Sequence, residues 1–341
     1  MKLKTLRFLP LLILVIVASC NRDDDSDDFV VADRGEQQVI DNELLVTYLQ
    51  THYYNASTFE TPGDYHISDI IITELPKDDD GNYLPMPDPD QNALLIDAVE
   101  TKVDTFADTR YEYYVLKLNH GGGPSPHFCD MVYVNYSGML EDHDEFDSTV
   151  NPVNFDIMNL IPGWSYVLPD FGTAESVATN PDGTLSYTNY GLGVMFLPSG
   201  LGYFASPNAG MSLYSNLIFK FELYQTKVND HDNDGVPAYI EDLNGNKYAF
   251  DDDTDNDSSP NFLDTDDDGD GVLTINELVP NTYTVDTNLG EEEPVLGEGE
   301  FERSRTTNAG VITIKTVKIV DTTGNGIPDY LDSSVTINYN E

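Results

Sequence analysis

Four stretches decide how this chain folds: VYVNYSGMLEDHDEFDST (132–149), NFDIMNLIPGWS (154–165), VMFLPSGLGYF (194–204) and NLIFKFELY (216–224). Each contains a short run in which apolar residues alternate with polar ones, the pattern of strands in a half-buried antiparallel sheet. Gly163-Trp164 opens a short helix between them. Threaded through the runs is a group of aromatics around one acid: Tyr136, Phe146, Asp147, Phe155, Trp164, Tyr203 and Phe219, with Trp164 the only tryptophan of the chain. A single ring in a small β domain is ordinarily core. Here the rings recur in a joint pattern: Tyr-x-Gly, an acidic turn and Phe-Asp-Ser (146–148), then Gly-Trp, then Leu-Pro-Ser-Gly-Leu-Gly-Tyr (197–203) after a strand. That pattern points to a shared surface as well as a core.

On these residues the segment 114–225, roughly 110 of the 341 residues, resembles the FK506-binding-protein family of peptidyl-prolyl cis-trans isomerases. The resemblance implies an α+β fold, an antiparallel sheet wrapped on a short helix, and catalysis without a cofactor. Rotation about an X–Pro bond breaks amide resonance over a barrier of roughly 20 kcal/mol, and uncatalysed exchange takes tens to hundreds of seconds. A catalyst need only bind the twisted amide better than the planar one. The twisted carbonyl and nitrogen are less strongly solvated, so a dry aromatic bowl favours them. In the family a Trp forms the floor of that bowl, which matches Trp164; the walls match Tyr136, Phe146, Phe155, Leu160, Ile161 and Phe219, and Met211 stands where Ile is usual. Asp147 and the Tyr203 hydroxyl match the groups that hydrogen-bond bound peptide.

The chain departs from the family at the rim. Phe204 replaces a usual Gly, the loop 205–215 lacks a Pro-Pro step, and about three residues are missing between Ile157 and Leu160. The segment Ser165–Tyr190 is longer than usual and carries an Asn-Pro-Asp-Gly turn at Asn180–Gly183. These changes bear on peptide preference more than on the pocket.

The amino terminus sets the compartment. Lys2, Lys4 and Arg7 precede an apolar run, Phe8 to Ala18, too short to span a bilayer comfortably. It ends in Val-Ala-Ser-Cys (17–20), so residues 1–19 read as a secretory signal peptide. The ending resembles a bacterial lipobox, which implies cleavage before Cys20 and acylation of Cys20; two or three acyl chains suffice for stable anchoring. Residues 20–36 follow as an acidic tether whose tract Asp23-Asp24-Asp25-Ser26-Asp27-Asp28 resembles surface-export signals of Bacteroidetes-type lipoproteins. The expected place is the outer membrane, periplasmic or surface-exposed. Acylation of Cys20 leaves Cys129 without an intramolecular partner, so no disulfide framework is available. With 61 acids against 16 Lys and Arg, the formal net charge is −45, which excludes nucleic acid as a partner because phosphate needs basic surface. Proline-containing polypeptides, and the membrane through the lipid, are the expected partners.

Residues 37–110 read as an N-terminal extension. Ile40, Leu44, Leu45, Tyr48 and Leu49 have helical spacing within 37–54, the Ile-Ile-Ile run inside 65–75 reads as a buried strand, and 77–90 is a Pro- and Asp-rich loop. The 111–119 run alternates like a strand and opens the isomerase-like domain, drawn at 111–225.

From 226 to 341 the composition changes. Between Asp230 and Glu277 there are 16 acids in 48 residues and one base, Lys247. Asp230, Asp232, Asp234, Gly235 and Glu241 stand at positions 1, 3, 5, 6 and 12 of a twelve-residue loop, and Asp266, Asp268, Asp270, Gly271 and Glu277 repeat that spacing. Asp253, Asp255, Asp257 and Asp264 repeat it with Ser258 for the Gly; Asp321, Thr323, Asn325, Gly326 and Asp332 do so near the C-terminus. Alternate hard oxygen ligands, a Gly for the sharp turn and a distal closing acid are what a cation of Ca²⁺ size needs. Asp-rich tracts are more often simply solvated, but four repeats of one spacing argue for bound cation. The repeats resemble thrombospondin type 3 and EF-hand-like loops. Pro237 and Pro328 inside them speak against long flanking helices and for an extended, calcium-stiffened array. Asp286–Glu302 reads as an acidic linker and Ala309–Val320 as a strand.

The expected function is peptidyl-prolyl isomerisation on exported chains, with Ca²⁺ structural in the tail. The rival is a non-enzymatic surface lipoprotein with a degenerate pocket and a calcium-stiffened stalk for binding or adhesion. Other enzyme classes fit poorly: no Ser/His/Asp order or Cys/His pair stands out, and His120, His127 and His143 lie in loops as exposed polar residues without metal-ligand spacing.

Overall fold

The apolar runs of the isomerase-like segment become seven antiparallel strands: β1 (Glu100–Phe106), β2 (Thr109–Asn119), β3 (Met131–Met139), β4 (Glu145–Ser148), β5 (Val153–Asp156), β6 (Gly191–Leu197) and β7 (Leu217–Lys227). They are ordered β1-β2-β6-β7-β3-β4, with β5 also paired to β3. The computed structural model describes residues 30–340; the stretch read as a signal peptide, Cys20 and most of the stretch read as an acidic tether lie outside the described residues. Among the described residues no helix is long and apolar enough to cross a membrane. Strand β1 lies outside the segment read as isomerase-like. It pairs with β2 across Ala107-Asp108, whose φ angles of 46° and 58° make the left-handed two-residue turn that suits strand twist.

The sheet is buried on both faces, not half-buried as the alternation suggested. On one face Tyr113, Val115, Met195, Leu197, Phe219 and Phe221 pack with Trp164 and Val167 of the short helix Pro162–Val167. On the other, Tyr114, Leu116, Val194, Phe196 and Ile218 pack with Leu45, Tyr48 and Leu49 of helix α1 (Arg34–Thr51) and with Ile70 and Leu95. Strands covered twice read as nearly continuous apolar runs, and GLGVMFL (191–197) is buried throughout. Two charged groups on the α1 side are matched by the extension. Lys220 Nζ donates to the Ile70 carbonyl at 2.7 Å, and the fully buried Glu222 accepts from Ile67 N at 2.7 Å and Asn135 Nδ2 at 2.9 Å.

Helix α1 begins at an Asp33 cap that accepts from Glu36 N. Its buried face is Leu45, Tyr48 and Leu49 together with Gln37, Gln38 and Asp41. Ile40 and Leu44, expected on that face, are exposed, because the contact to the sheet is partly polar. The expected Ile-Ile-Ile strand is also corrected: Ile70 is buried, Ile71 is exposed, and only Ile72–Glu74 is strand, paired with His52–Tyr54 in a small sheet completed by Ala93–Leu94. The Asn180–Gly183 turn joins a short hairpin, Ser176–Thr179 with Leu185–Thr188.

The tail is not an extended array. Strands β8 (Val279–Asp286), β9 (Glu300–Asn308) and β10 (Val311–Lys318) form a three-stranded sheet ordered β8-β10-β9, so the end of the expected linker is strand. Val236, Leu278, Val317 and Tyr330 form a core inside the tail. A further cluster joins the tail to the isomerase-like segment: Ala238, Ala249 and Phe262 pack with Phe128 and the fully buried Cys129. His127, expected as an exposed loop residue, stacks on Tyr239 at 3.5 Å and lies 3.0 Å from Asp130 Oδ2. The folding-back has a local cause, since the loops carry apolar residues between their turn and their closing acid, and these must be buried somewhere.

Candidate functional site

Two glycines bring the aromatic rings together. Gly138 on β3 faces Phe219 on β7 in register; a Cβ there would lie 2.6 Å from Phe219 Cε1 and 2.8 Å from Phe146 Cζ. Its absence lets both rings lean over the strand. A Cβ on Gly163 would meet Leu197 Cδ1 at 2.3 Å, so the short helix sits close on β6 and lowers Trp164 onto the sheet. Trp164 lies 5.1 Å from Phe219 and 5.8 Å, edge-on, from Tyr136, which in turn is 5.7 Å from Phe155. Phe146 stands edge-on to Phe219 at 5.4 Å and to Tyr203 at 6.4 Å. Such tilted and edge-on contacts suit the aromatic quadrupoles.

The result is an open cleft of about 430 Å³ lined by Tyr136, Asp147, Phe155, Leu160, Ile161, Trp164, Tyr203 and Phe219 among the expected residues. Phe146 and Met211 pack behind the lining rather than in it. Asn159, Pro162, Gly202 and Ser206 complete the lining and were not foreseen. The polar groups are few. Tyr136 Oη donates to Asp147 Oδ2 at 2.6 Å; burial and the bonded carboxylate push the Tyr136 hydroxyl pKa up. Burial also raises the Tyr203 hydroxyl, against a lowering contact from Asn208. No nucleophile–base pair faces the cleft, so binding and exclusion of water are what this surface offers.

The Tyr203 loop is held from behind by the N-terminal extension. Asp41, fully buried on α1, accepts from Ser199 N at 2.9 Å, Ser199 Oγ at 2.6 Å and Gln37 Nε2 at 2.6 Å. Arg34 donates to the Gly200 carbonyl and lies 4.3 Å over the Phe204 ring. Phe204 has φ +49°, the left-handed conformation in which Gly is least strained. Burial of its ring against Arg34 and Tyr214 keeps Phe there. A second, smaller groove of about 190 Å³ shares Leu160 and Pro162 with the cleft, and its far wall is Lys247, Tyr248 and Phe250 from the tail.

The acidic loops share one backbone signature. The position-6 N–H donates to the position-1 carboxylate: Gly235 to Asp230, Ser258 to Asp253, Gly271 to Asp266 and Gly326 to Asp321. The position-7 N–H donates to position 5: Val236 to Asp234, Ser259 to Asp257, Val272 to Asp270 and Ile327 to Asn325. A fifth loop with the same signature was missed. Lys247 N donates to Asp242 and Tyr248 N to Asn246, with Lys247 at φ +63° in the glycine place. Asn244, Asn246 and Lys247 disguise the repeat, and the Lys247 side chain leaves the loop to reach Asp104 on β1 at 3.3 Å.

Carboxylate oxygens of Asp230, Asp232 and Asp234 lie within 4.8 Å of one another, as do those of Asp253, Asp255 and Asp257, and of Asp266, Asp268 and Asp270. At an effective dielectric of about 20, each ionised pair at that distance repels by roughly 3–4 kcal/mol. In the first and third of these sets every acid keeps a buried oxygen without a hydrogen-bond partner, and so do both oxygens of the closing Glu241 and Glu277. A bidentate closing glutamate is the arrangement an oxygen-ligated cation of Ca²⁺ size takes, so these residues fit that group. Burial, reinforced by neighbouring acids, pushes Asp232 up to about 7, Asp234 and Glu277 up to about 9 and Glu241 up to about 11. Asp264 accepts from Asp266 N. In the last loop Asn325 Nδ2 donates to Asp332 Oδ2 at 2.8 Å, and no three acids converge there among the described residues.

A family model described as BamM C-terminal matches residues 231–294. Among curated proteins, the chain is 31% identical over 128 residues to an FKBP-type peptidyl-prolyl cis-trans isomerase, FkpA, of Aeromonas hydrophila, covering 37% of this chain and 41% of that protein. It is 29% identical over 119 residues to FK506-binding protein 1 of Eremothecium gossypii, covering 33% of this chain and 90% of that protein. Homology to FKBP-type isomerases thus extends, at modest identity, over about a third of the chain. Among solved structures the chain is similar to a peptidyl-prolyl cis-trans isomerase of Pseudomonas syringae pv. tomato, with 22% identity, a TM-score of 0.30 and coverage of 38% of this chain and 81% of that one. It is also similar to FkpA of Escherichia coli, with 27% identity, a TM-score of 0.29 and coverage of 38% and 53%.

Proposed function

We propose that this chain is an exported, lipid-anchored peptidyl-prolyl cis-trans isomerase of the FKBP type, acting on X–Pro bonds of other exported polypeptides at the outer membrane. The observation that carries the reading is the cleft itself. Trp164, Tyr136, Phe155 and Phe219 form an apolar bowl open to solvent on one side, with Asp147 and Tyr203 at its edge. A pyrrolidine ring packs against Trp164, while the departing resonance of the amide is favoured by dry walls. The Tyr203 hydroxyl and the Asp147 carboxylate orient the peptide. No bond to the enzyme forms, and the rate gain is differential binding of the twisted amide. The modest homology to FKBP-type isomerases supports the same chemistry.

In this reading Ca²⁺ is structural. The acids of the Asp230 and Asp266 loops would hold it, neutralising carboxylates that otherwise repel one another. The lipobox ending at Cys20 and the acidic tract behind it support anchoring at the envelope. The test is a proline-isomerisation assay on the soluble chain from Asp28 onward, with Asp147→Ala and Tyr203→Phe beside the wild type. Activity should fall in both variants by more than stability does, and a macrolide ligand should quench the single Trp164. A folded wild type that is inactive and leaves Trp164 unquenched would favour the non-catalytic surface protein.

A further inference from the structure

The carboxylate of Asp267 points away from its own loop's acids. Asp267 stands at position 2 of the Asp266 loop, a place that the 1-3-5-12 spacing leaves without a ligand role. It is 1% exposed. Its Oδ2 accepts from Thr274 Oγ1 at 2.7 Å, and the Asp267 backbone N–H donates to that Thr274 Oγ1 at 3.2 Å, which fixes the side chain. The other oxygen, Oδ1, is buried and has no hydrogen-bond partner. Carboxylate oxygens of Asp267, Asp234 and Glu241 lie within 4.8 Å of one another, and all three residues are at most 2% exposed. Asp234 Oδ2 and both Glu241 oxygens are likewise buried and unpartnered. Three fixed carboxyl groups with unpartnered oxygens converge on one small buried volume, and no cationic side chain is bonded to them. A buried charge is otherwise tolerated only when paired or bound to a metal.

We propose that Asp267 is a ligand to the cation of the Asp230 loop, supplied across space by the Asp266 loop, so that one divalent cation cross-links the two. The inference rests on the reading of the loops as calcium sites. It changes their nature from independent beads to an interlocked pair: the first site is complete only when the third loop has folded against it. Val236 of the first loop and Leu278, next to Glu277 in the chain, share one apolar core with Val317 and Tyr330, so that core spans both loops. One further acid is held in the same way by a threonine, without a convergent group of three acids around it. Asp329, from the Asp321 loop, is 1% exposed, receives Thr322 N and Oγ1 on one oxygen, and keeps the other buried and unpartnered.

The experiment is calorimetric titration of the full-length, chelator-stripped protein with Ca²⁺ alone. Asp267→Asn should weaken one binding step at least about tenfold, and it should be the same step that Asp230→Asn removes. The Asp230→Asn/Asp267→Asn double variant should then be no worse than Asp230→Asn. Asp266→Asn/Asp267→Asn should lose two steps. Thr274→Val, which removes the group fixing Asp267, should weaken the Asp230 step and leave the Asp266 step within about twofold. It also carries the test if near-ultraviolet circular dichroism finds Asp267→Asn unfolded. Unchanged binding in Asp267→Asn, or loss of the Asp266 step in place of the Asp230 step, overturns the inter-loop ligand while leaving the loops as calcium sites. A wild type that takes up no calcium rejects the loop reading itself, and the cross-link with it.

Discussion

Gly138→Ala tests the cleft with a single methyl group. The new Cβ would lie 2.6 Å from Phe219 Cε1 and 2.8 Å from Phe146 Cζ, where ordinary contact begins near 3.4 Å. The two rings must therefore retreat by 0.8 and 0.6 Å. Phe219 has little room to do so, since it is 3% exposed and lies against Trp164 and Tyr136. Overpacking of this kind costs about 1–3 kcal/mol. The displacement falls on one cleft wall and on the ring behind it. Misplacement by a good part of an ångström lowers kcat/KM by roughly ten- to a hundredfold where geometry matters. Denaturant unfolding followed by Trp164 emission gives the first quantity, and isomerisation of a proline peptide gives the second. A variant with the wild-type midpoint and the wild-type rate would refute both the close approach at Gly138 and the proposed role of the cleft above it.

Cys20→Ala should abolish acyl incorporation and release the protein from membranes; continued lipid labelling and sedimentation would remove the lipoprotein reading. The chelator-stripped protein should lose stability as pH rises. Asp232, Asp267, Asp234, Glu277 and Glu241 hold protons when folded up to about 7, 8, 9, 9 and 11. Unfolded, they release them near pH 4. The folded state binds more protons across that window, so its contribution is full below about pH 4 and is lost as pH climbs through the folded values. Saturating Ca²⁺ should flatten this slope and release protons on binding, seen as a calorimetric heat that depends on buffer. A stripped protein whose unfolding midpoint is constant from about pH 5 to 9 would contradict it.

Local chemistry was legible in the chain because it repeats at short range. Alternation placed β2, β3, β6 and β7, and the rings and acid of the cleft were all named from their order along four stretches. The spacing identified three loops whose acids at positions 1, 3 and 5 do converge, since these side chains are brought together by one turn of backbone, and a fourth, the Asp321 loop, whose acids do not among the described residues. Even this reading failed where the residues changed but the turn did not. In the Asp242 loop, Lys247 adopts the left-handed angle that Gly takes elsewhere, and only the backbone hydrogen bonds reveal the repeat.

The tertiary structure alone decided what each surface faces. A strand whose residues are apolar on both sides does not say what covers it. Only the folded chain shows α1 closing the second face, with Ile40 and Leu44 turned outward and Asp41 turned inward to hold Ser199. The tail read as extended because Pro237 and Pro328 stand inside its loops, yet Ala238, Ala249 and Phe262 bury themselves against Phe128 and Cys129. Asp267 stood in a position of no consequence until the third loop lay against the first. The difference is physical: a turn is fixed by the dihedral preferences of a few neighbouring residues. Burial is settled over the whole chain, by which apolar faces and unpaired charges remain after every local element has formed.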